Sequence, residues 1–126
     1  MNIEHLAIWV QDIELMRHFY TETFNCEVSD LYVNEKKKFQ SYFLSFESGA
    51  RLEIMSRADI SKKSDLEQMG YAHFALAVGS EEKVNQWASK ISTFGIQILD
   101  GPRWTGDGYY EFTIDDPEGN KIEITI

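Results

Sequence analysis

Four ionisable residues recur at matching places in the two halves of the chain. Each half has one histidine near its start and one glutamate near its end, His5 and Glu53 and then His73 and Glu123. Two imidazole nitrogens and two carboxylate oxygens form a ligand set suited to a divalent transition-metal ion. Such a set leaves coordination positions open for water or substrate, which is typical of catalytic rather than closed structural metal sites.

These four residues belong to a longer internal repeat. The segment His5–Val10 aligns with His73–Val78, which lies 68 residues further along the chain. The segment Gly49–Ile54 aligns with Gly119–Ile124 at a separation of 70 residues. Because each segment reads as a strand, the repeat predicts that the two halves fold alike.

The elements between these strands are also repeated. Asp12 and Ser80 are candidate N-caps, and each is followed by apolar residues at helical spacing. Alternating segments then predict the remaining strands. The chain is therefore expected to be an α+β protein with two tandem βαβββ modules, about 1–56 and 71–126, joined by a linker over 57–70 that contains a short helical piece.

Strand alternation predicts which way the four ionisable side chains point. Aliphatic residues alternate with His5 and Glu53 in the first module and with His73 and Glu123 in the second. The aliphatic face suits packing under a helix, whereas the other face carries small and polar neighbours. We therefore expect curved mixed sheets around a metal-binding cavity. A network of His–Glu salt bridges without an ion is the alternative.

The composition excludes several classes of function. The chain has 126 residues, 12 basic against 21 acidic, and its net charge of −9 argues against nucleic acid or an anionic membrane as partner. The basic run Lys36-Lys37-Lys38 is interpreted as a solvated loop. No apolar run approaches the roughly 18 residues of a membrane span. Without signal-peptide features, and with the single Cys26, a cytoplasmic protein with a small-molecule partner is expected.

Three segments give the chain a family resemblance: His5-Leu6-Ala7-Ile8, Gly70–Ala75 and Asp116–Glu123. Together they resemble the vicinal oxygen chelate superfamily. That superfamily includes glyoxalase I, methylmalonyl-CoA epimerase, fosfomycin resistance proteins, extradiol dioxygenases and bleomycin resistance proteins. The resemblance covers essentially the whole chain and implies the paired βαβββ fold.

Within that superfamily, the ligand pattern is most similar to short bacterial glyoxalase I. The resemblance implies that His5, Glu53, His73 and Glu123 hold one divalent ion per site, which would be Ni, Zn, Co or Mn. It implies a lactoylglutathione lyase-like lyase or isomerase acting on a small vicinal-oxygen substrate, such as a hemithioacetal, through a metal-stabilised enediolate. Glu53 and Glu123 would be the catalytic bases. A homodimer is also implied, with the site either within one chain or shared between two.

Residues expected to contact the substrate differ from the glyoxalase pattern. Trp9 stands where short glyoxalases have an arginine, and Arg57 lies in the region of an asparagine. Both family residues serve glutathione, so the resemblance does not carry glutathione recognition over to this chain. Arg103 could meet an anionic group and Trp104 could stack on the substrate, both within a turn-rich loop predicted over 100–108.

Two other functions compete with the lyase reading. The first is a metal-free small-molecule-binding or antibiotic-binding protein, similar to bleomycin resistance proteins. The second is a fosfomycin-type thiol transferase, which is disfavoured because Glu53 stands where that group has a histidine.

Overall fold

A computed structural model describes residues 1–61 and 69–126, which belong to two compact units, Met1–Lys63 and Ser64–Ile126. Residues 62–68, half of the linker predicted over 57–70, lie outside the described residues. The first unit contains β1 (His5–Trp9), α1 (Ile13–Phe24), β2 (Glu27–Val28), β3 (Tyr32–Asn34), β4 (Phe39–Ser45) and β5 (Arg51–Arg57). The second contains β6 (Phe74–Ala77), α2 (Glu81–Thr93), β7 (Ile98–Trp104), β8 (Tyr110–Asp115) and β9 (Lys121–Thr125).

Each unit has one mixed sheet with its first strand at an edge. The strand order is β1-β5-β4-β2 in the first unit, where β3 also pairs with β4, and β6-β9-β8-β7 in the second. The first and last strands of each unit run parallel, whereas their other neighbours pair in antiparallel fashion. The parallel pairing sets the module's first and last strands side by side, so it brings the histidine-bearing segment next to the glutamate-bearing strand.

The second unit has the βαβββ order that the repeat predicts, whereas the first divides one of those strands into β2 and β3. At the break, the Ser29 hydroxyl accepts a hydrogen bond from the Phe43 backbone N–H at 3.0 Å. A side chain thus takes the place of a carbonyl in the strand ladder, and regular pairing with β4 stops there.

Both helices begin and end at residues suited to those positions. The Asp12 carboxylate accepts a hydrogen bond from the Leu15 N–H at 3.0 Å, and the Ser80 hydroxyl accepts one from the Lys83 N–H at 3.3 Å. Asn25 follows α1 in the left-handed conformation, which asparagine tolerates better than most residues. The predicted N-caps are confirmed. No helix among the described residues is long and apolar enough to cross a membrane.

The core of each unit lies between its helix and one face of its sheet. Met16 and Tyr20 of α1 are fully buried, as are Ile54 of β5 and, in the second unit, Ile91 of α2 and Ile122 of β9. Since α1 contacts β5 and α2 contacts β8 and β9, these aliphatic faces are covered by the helices. The other face of each sheet is therefore the one that carries the ionisable residues, as predicted from alternation.

The turn-rich loop predicted over 100–108 is shorter than expected, because β7 continues to Trp104. Register shifts between Ile98 and Asp100 and between Asp100 and Arg103 mark irregular pairing with β8. The irregularity accommodates Gly101, whose φ of 84° lies in the left-handed region. A bulged strand admits the glycine and proline that the sequence suggested were part of a turn.

Replacing Gly101 with alanine is expected to destabilise the protein by about 3 kcal/mol. A Cβ atom there would collide with the Glu111 carbonyl oxygen on β8, in addition to the strain of positive φ. Gly108→Ala is the matched control, because Gly108 also has positive φ but open space around it, and about 1 kcal/mol is expected. Urea denaturation compares the two variants, and equal losses would contradict the role of close strand approach.

Candidate metal centre

The first His–Glu pair lies on neighbouring strands of the first unit. β1 and β5 pair with Ala7 opposite Glu53, so His5 lies on the same face, two residues before Ala7. His5 Nε2 is 3.9 Å from Glu53 Oε2. The histidine side chain is 40% exposed and the glutamate side chain 14% exposed. An accessible imidazole nitrogen thus stands beside a largely covered carboxylate.

Neighbouring groups fix the orientation of the His5 ring. His5 Nδ1 lies 2.6 Å from Glu4 Oε2, and the Phe43 ring packs edge-on against the imidazole. Glu4 also accepts a hydrogen bond from Arg51 Nε at 2.7 Å. The hydrogen bond with His5 is the main cause that lowers the pKa of Glu4. A carboxylate on Nδ1 favours the tautomer whose Nε2 lone pair is free to bind a metal.

The second unit repeats this arrangement. Ala75 pairs with Glu123 as Ala7 pairs with Glu53, and His73 lies just before β6. His73 Nε2 is 3.1 Å from Glu123 Oε2, and their side chains are 41% and 19% exposed. The same two residue types, in the same register and with similar exposure, therefore occur once in each unit.

The donor chemistry of each pair fits a divalent transition metal. An imidazole nitrogen and a carboxylate oxygen bound to one ion at usual lengths lie about 3.0–3.4 Å apart. The second pair has that separation, and the first needs a shift of about half an ångström. No group of three or more His, Cys, Asp or Glu side chains converges among residues 1–61 and 69–126. Each unit thus presents one imidazole and one carboxylate as candidate ligands.

Glu111 of β8 is a further carboxylate near the second pair, and it is not among the site residues predicted from sequence. It pairs with Thr125, and Thr113 pairs with Glu123, so Glu111 and Glu123 share one face. Burial, followed by the negative charge of Glu123, raises the pKa of Glu111. Alternation in β8, whose buried Phe112 and Ile114 face the other way, is the sequence signal for the face of Glu111, but it does not fix the register that places Glu111 near Glu123.

The expected substrate residues of the first unit, Trp9 and Arg57, come together on the sheet face that carries His5 and Glu53. The Arg57 guanidinium lies over the Trp9 ring, 5.2 Å from its centre, and pairs with Asp59 through Nε to Oδ1 at 2.6 Å. Arg57 follows Glu53 by four residues along β5, and Trp9 follows His5 by four residues along β1. Since side chains an even number of residues apart share one face of a strand, each pair lies on the same face. The aromatic and cationic pair therefore lies on the face of Glu53, further along the strands.

The two expected substrate residues of the second unit separate onto opposite faces. Arg103 pairs with Glu111 and so shares the face of Glu123, while its Nε donates to Asp100 Oδ2 at 2.8 Å. Trp104 pairs with Tyr110 on the other face, and the Tyr110 hydroxyl donates to Asn85 of α2 at 3.0 Å. Arg103 is therefore on the sheet face that carries Glu123, whereas Trp104 is on the face that the helix covers.

The family model "Glyoxalase/Bleomycin resistance protein/Dioxygenase superfamily" matches residues 2–124. The chain belongs to this superfamily. Superfamily membership confirms the resemblance drawn from the repeated His-bearing strands and the Asp116–Glu123 segment. It also confirms the α+β fold class.

Solved structures of this superfamily share the fold at low sequence identity. A glyoxalase family protein from Enterococcus faecalis is 24% identical, with a TM-score of 0.81 over 98% of this chain and 96% of that one. The trypanothione-dependent glyoxalase I of Leishmania major is 21% identical, with a TM-score of 0.78 over 98% and 85%. A lactoylglutathione lyase from Agrobacterium tumefaciens is 20% identical, with a TM-score of 0.72 over 98% and 91%. These likenesses establish the fold, and members of this kind typically bind a divalent metal.

Proposed function

We propose that this protein is a metal-dependent lyase or isomerase of the glyoxalase I type, acting on a small vicinal-oxygen substrate. The observation that carries the proposal is the His–Glu pair repeated in the same register of both units. In each pair a half-exposed imidazole lies beside a largely covered carboxylate, which leaves the histidine nitrogen accessible to an ion. Four ligands from two such pairs make one complete site with open positions.

The chemistry divides between the ion and the two carboxylates. A bound divalent cation would supply a Lewis acid that stabilises negative charge developing on a substrate oxygen. Glu53 or Glu123 takes the proton from one carbon of the substrate and returns it to the neighbouring carbon. The net change is an isomerisation, such as hemithioacetal to hydroxyacyl thioester, with no external oxidant or reductant. The largely covered position of both carboxylates limits competition from water.

The complete site needs the ligands of two units. His5 and Glu53 can combine with His73 and Glu123 of the same chain or of the other chain in a homodimer. Both combinations bring together the same residue types, so both predict one ion for each chain.

Substrate contacts follow from the same faces. Trp9 and Arg57 would bind the part of the substrate that extends along β5, and Arg103 would meet an anionic group near Glu123. Contact between Trp104 and the substrate stays a prediction, since this side chain packs against Tyr110, with the two rings tilted by 54°, at the helix side of its sheet.

A metal-free binding protein is the second candidate function. The observation in its favour is that each histidine already lies beside a carboxylate, with Glu4 as a further partner of His5. Such pairs can exist without an ion. In this alternative, the sheet face that carries each His–Glu pair would bind a small molecule by shape and charge alone, without an ion.

An activity assay tests the proposed function. Protein stripped with chelator and reloaded with Ni²⁺, Co²⁺, Zn²⁺ or Mn²⁺ is mixed with methylglyoxal and either glutathione or a smaller thiol. Loss of the hemithioacetal and appearance of a thioester are expected only with the reloaded protein. If no thiol supports turnover although the metal is bound, the hemithioacetal substrate class is wrong.

A further inference from the structure

An open cavity of about 710 Å³ lies at the end of the first unit, where the β3–β4 hairpin meets the end of β5. Its lining residues are Lys36, Lys37, Lys38, Arg57, Ala58 and Asp59. We propose that this cavity binds a phosphoryl group carrying more than one negative charge. The sequence alone suggested only a solvated loop for the three lysines.

The charge of the cavity is opposite to that of the whole protein. Four cationic side chains line it against the single carboxylate of Asp59, whereas the chain carries a net charge of −9. Within the part of the chain that the structure describes, none of the three lysines forms an ion pair. The positive charge of the hairpin is therefore concentrated and available to an anion.

The hairpin backbone is held in place although the lysine side chains are exposed. The Lys37 N–H donates to both the backbone and the side-chain oxygen of Asn34, at 3.2 and 3.1 Å. The Lys38 N–H donates to the Glu35 carbonyl at 3.3 Å. Because this turn fixes the backbone positions of the three lysines, their ammonium groups can contact an anion by rotation of the side chains alone, without a change in backbone conformation. Ammonium groups are point charges that suit the several oxygens of a phosphoryl group.

Arg57 is the fourth cationic residue that lines the cavity. Its guanidinium is oriented by the Trp9 ring and by Asp59, with a second Asp59 contact from Nη2 to Oδ2 at 3.2 Å. The pair with Asp59 is exposed, and exposed ion pairs contribute little free energy. A doubly charged anion can therefore displace Asp59 and use the same bidentate donors.

The position of the cavity relative to Glu53 indicates the class of substrate, an inference that rests on the proposed function. Arg57 and Glu53 share one face of β5 and are four residues apart, so about 13 Å separates them. Met55, which pairs with Trp9 and Ser41, lies on the same face between them and is half-buried, so a substrate bound to both residues would extend across it. The substrate class that fits is one with reacting vicinal oxygens at one end and a phosphoryl group at the other.

Calorimetric titration of chelator-treated protein with inorganic pyrophosphate tests this site. Pyrophosphate is expected to bind, and to bind more tightly than citrate, which offers carboxylates alone. Lys36→Gln/Lys38→Gln and Arg57→Gln should each weaken binding about tenfold. Lys83→Gln/Lys90→Gln removes the same charge from α2 and should change the dissociation constant by less than about twofold. Since no metal is present, the result is independent of whether the protein is a lyase.

Three outcomes would overturn the inference. Absence of pyrophosphate binding would exclude the site. If the α2 variant weakened binding as much as the cavity variants, the effect would come from the net charge of the protein and not from a specific site. Citrate binding as tight as that of pyrophosphate would exclude phosphoryl recognition. None of these outcomes would bear on metal binding by the His–Glu pairs, which is measured separately.

Discussion

Replacing the glutamate that acts as the base, Glu53 or Glu123, with glutamine is expected to lower kcat by roughly 10²- to 10⁴-fold even when the metal is bound. An amide keeps the size of the carboxylate but cannot accept the substrate proton at neutral pH. It also removes one of the negative charges that compensate the cation, so metal affinity should fall as well. Steady-state kinetics of the reloaded variants, with bound metal measured on the same samples, separates these two effects.

The same experiment identifies which glutamate acts as the base. That residue is the one whose variant retains metal at high concentration and still loses turnover, whereas the variant of a residue that serves only as ligand recovers turnover when metal is added. Glu22→Gln is the control, because Glu22 lies exposed on α1 away from the sheet face. Unchanged kcat in both single variants would exclude carboxylate catalysis.

Replacing Ile54 or Ile124 with alanine is expected to lower the free energy of unfolding by about 2–5 kcal/mol. Each is the next residue after a candidate ligand, yet it points to the other face of its strand, where it is 0% and 1% exposed respectively. The loss comes from the buried methyl groups and from the cavity that remains under the helix. Chemical denaturation of the metal-free protein measures it.

The matched control for these variants is Ile3→Ala, because Ile3 is 65% exposed. Its effect should stay within about 0.5 kcal/mol. Equal losses in the free energy of unfolding for Ile54→Ala and Ile3→Ala would contradict the assignment of Ile54 to a buried face of β5. Neighbouring substitutions in one strand should thus separate a stability effect at Ile54 from a catalytic effect at Glu53.

The features that could be predicted from sequence are those with local causes. Side-chain caps at Asp12 and Ser80 fix the helix starts, because each needs only the N–H of a residue three positions later. The two faces of β5 and β9 follow from strand alternation, so the direction of Glu53 and Glu123 was predictable too. The family was indicated by the resemblance of three local segments, His5-Leu6-Ala7-Ile8, Gly70–Ala75 and Asp116–Glu123.

Features that depend on pairing between distant segments were not predictable. Glu111 shares a face with Glu123 only through the register of β8 and β9, which alternation suggests but does not fix. The extension of β7 through Gly101 depends on how closely β8 approaches it. The three lysines acquire a cavity only because their hairpin meets the end of β5 at Arg57.

The central claim is that the two His–Glu pairs together hold one divalent ion. The most direct measurement is the metal content, by mass spectrometry of metals, of protein stripped with chelator, reloaded with Ni²⁺ and freed of excess ion. One ion per chain is predicted, and it should be lost in the Glu53→Gln/Glu123→Gln double variant but not in Glu22→Gln. No bound ion, two ions per chain, or an ion retained in the double variant would each contradict the account.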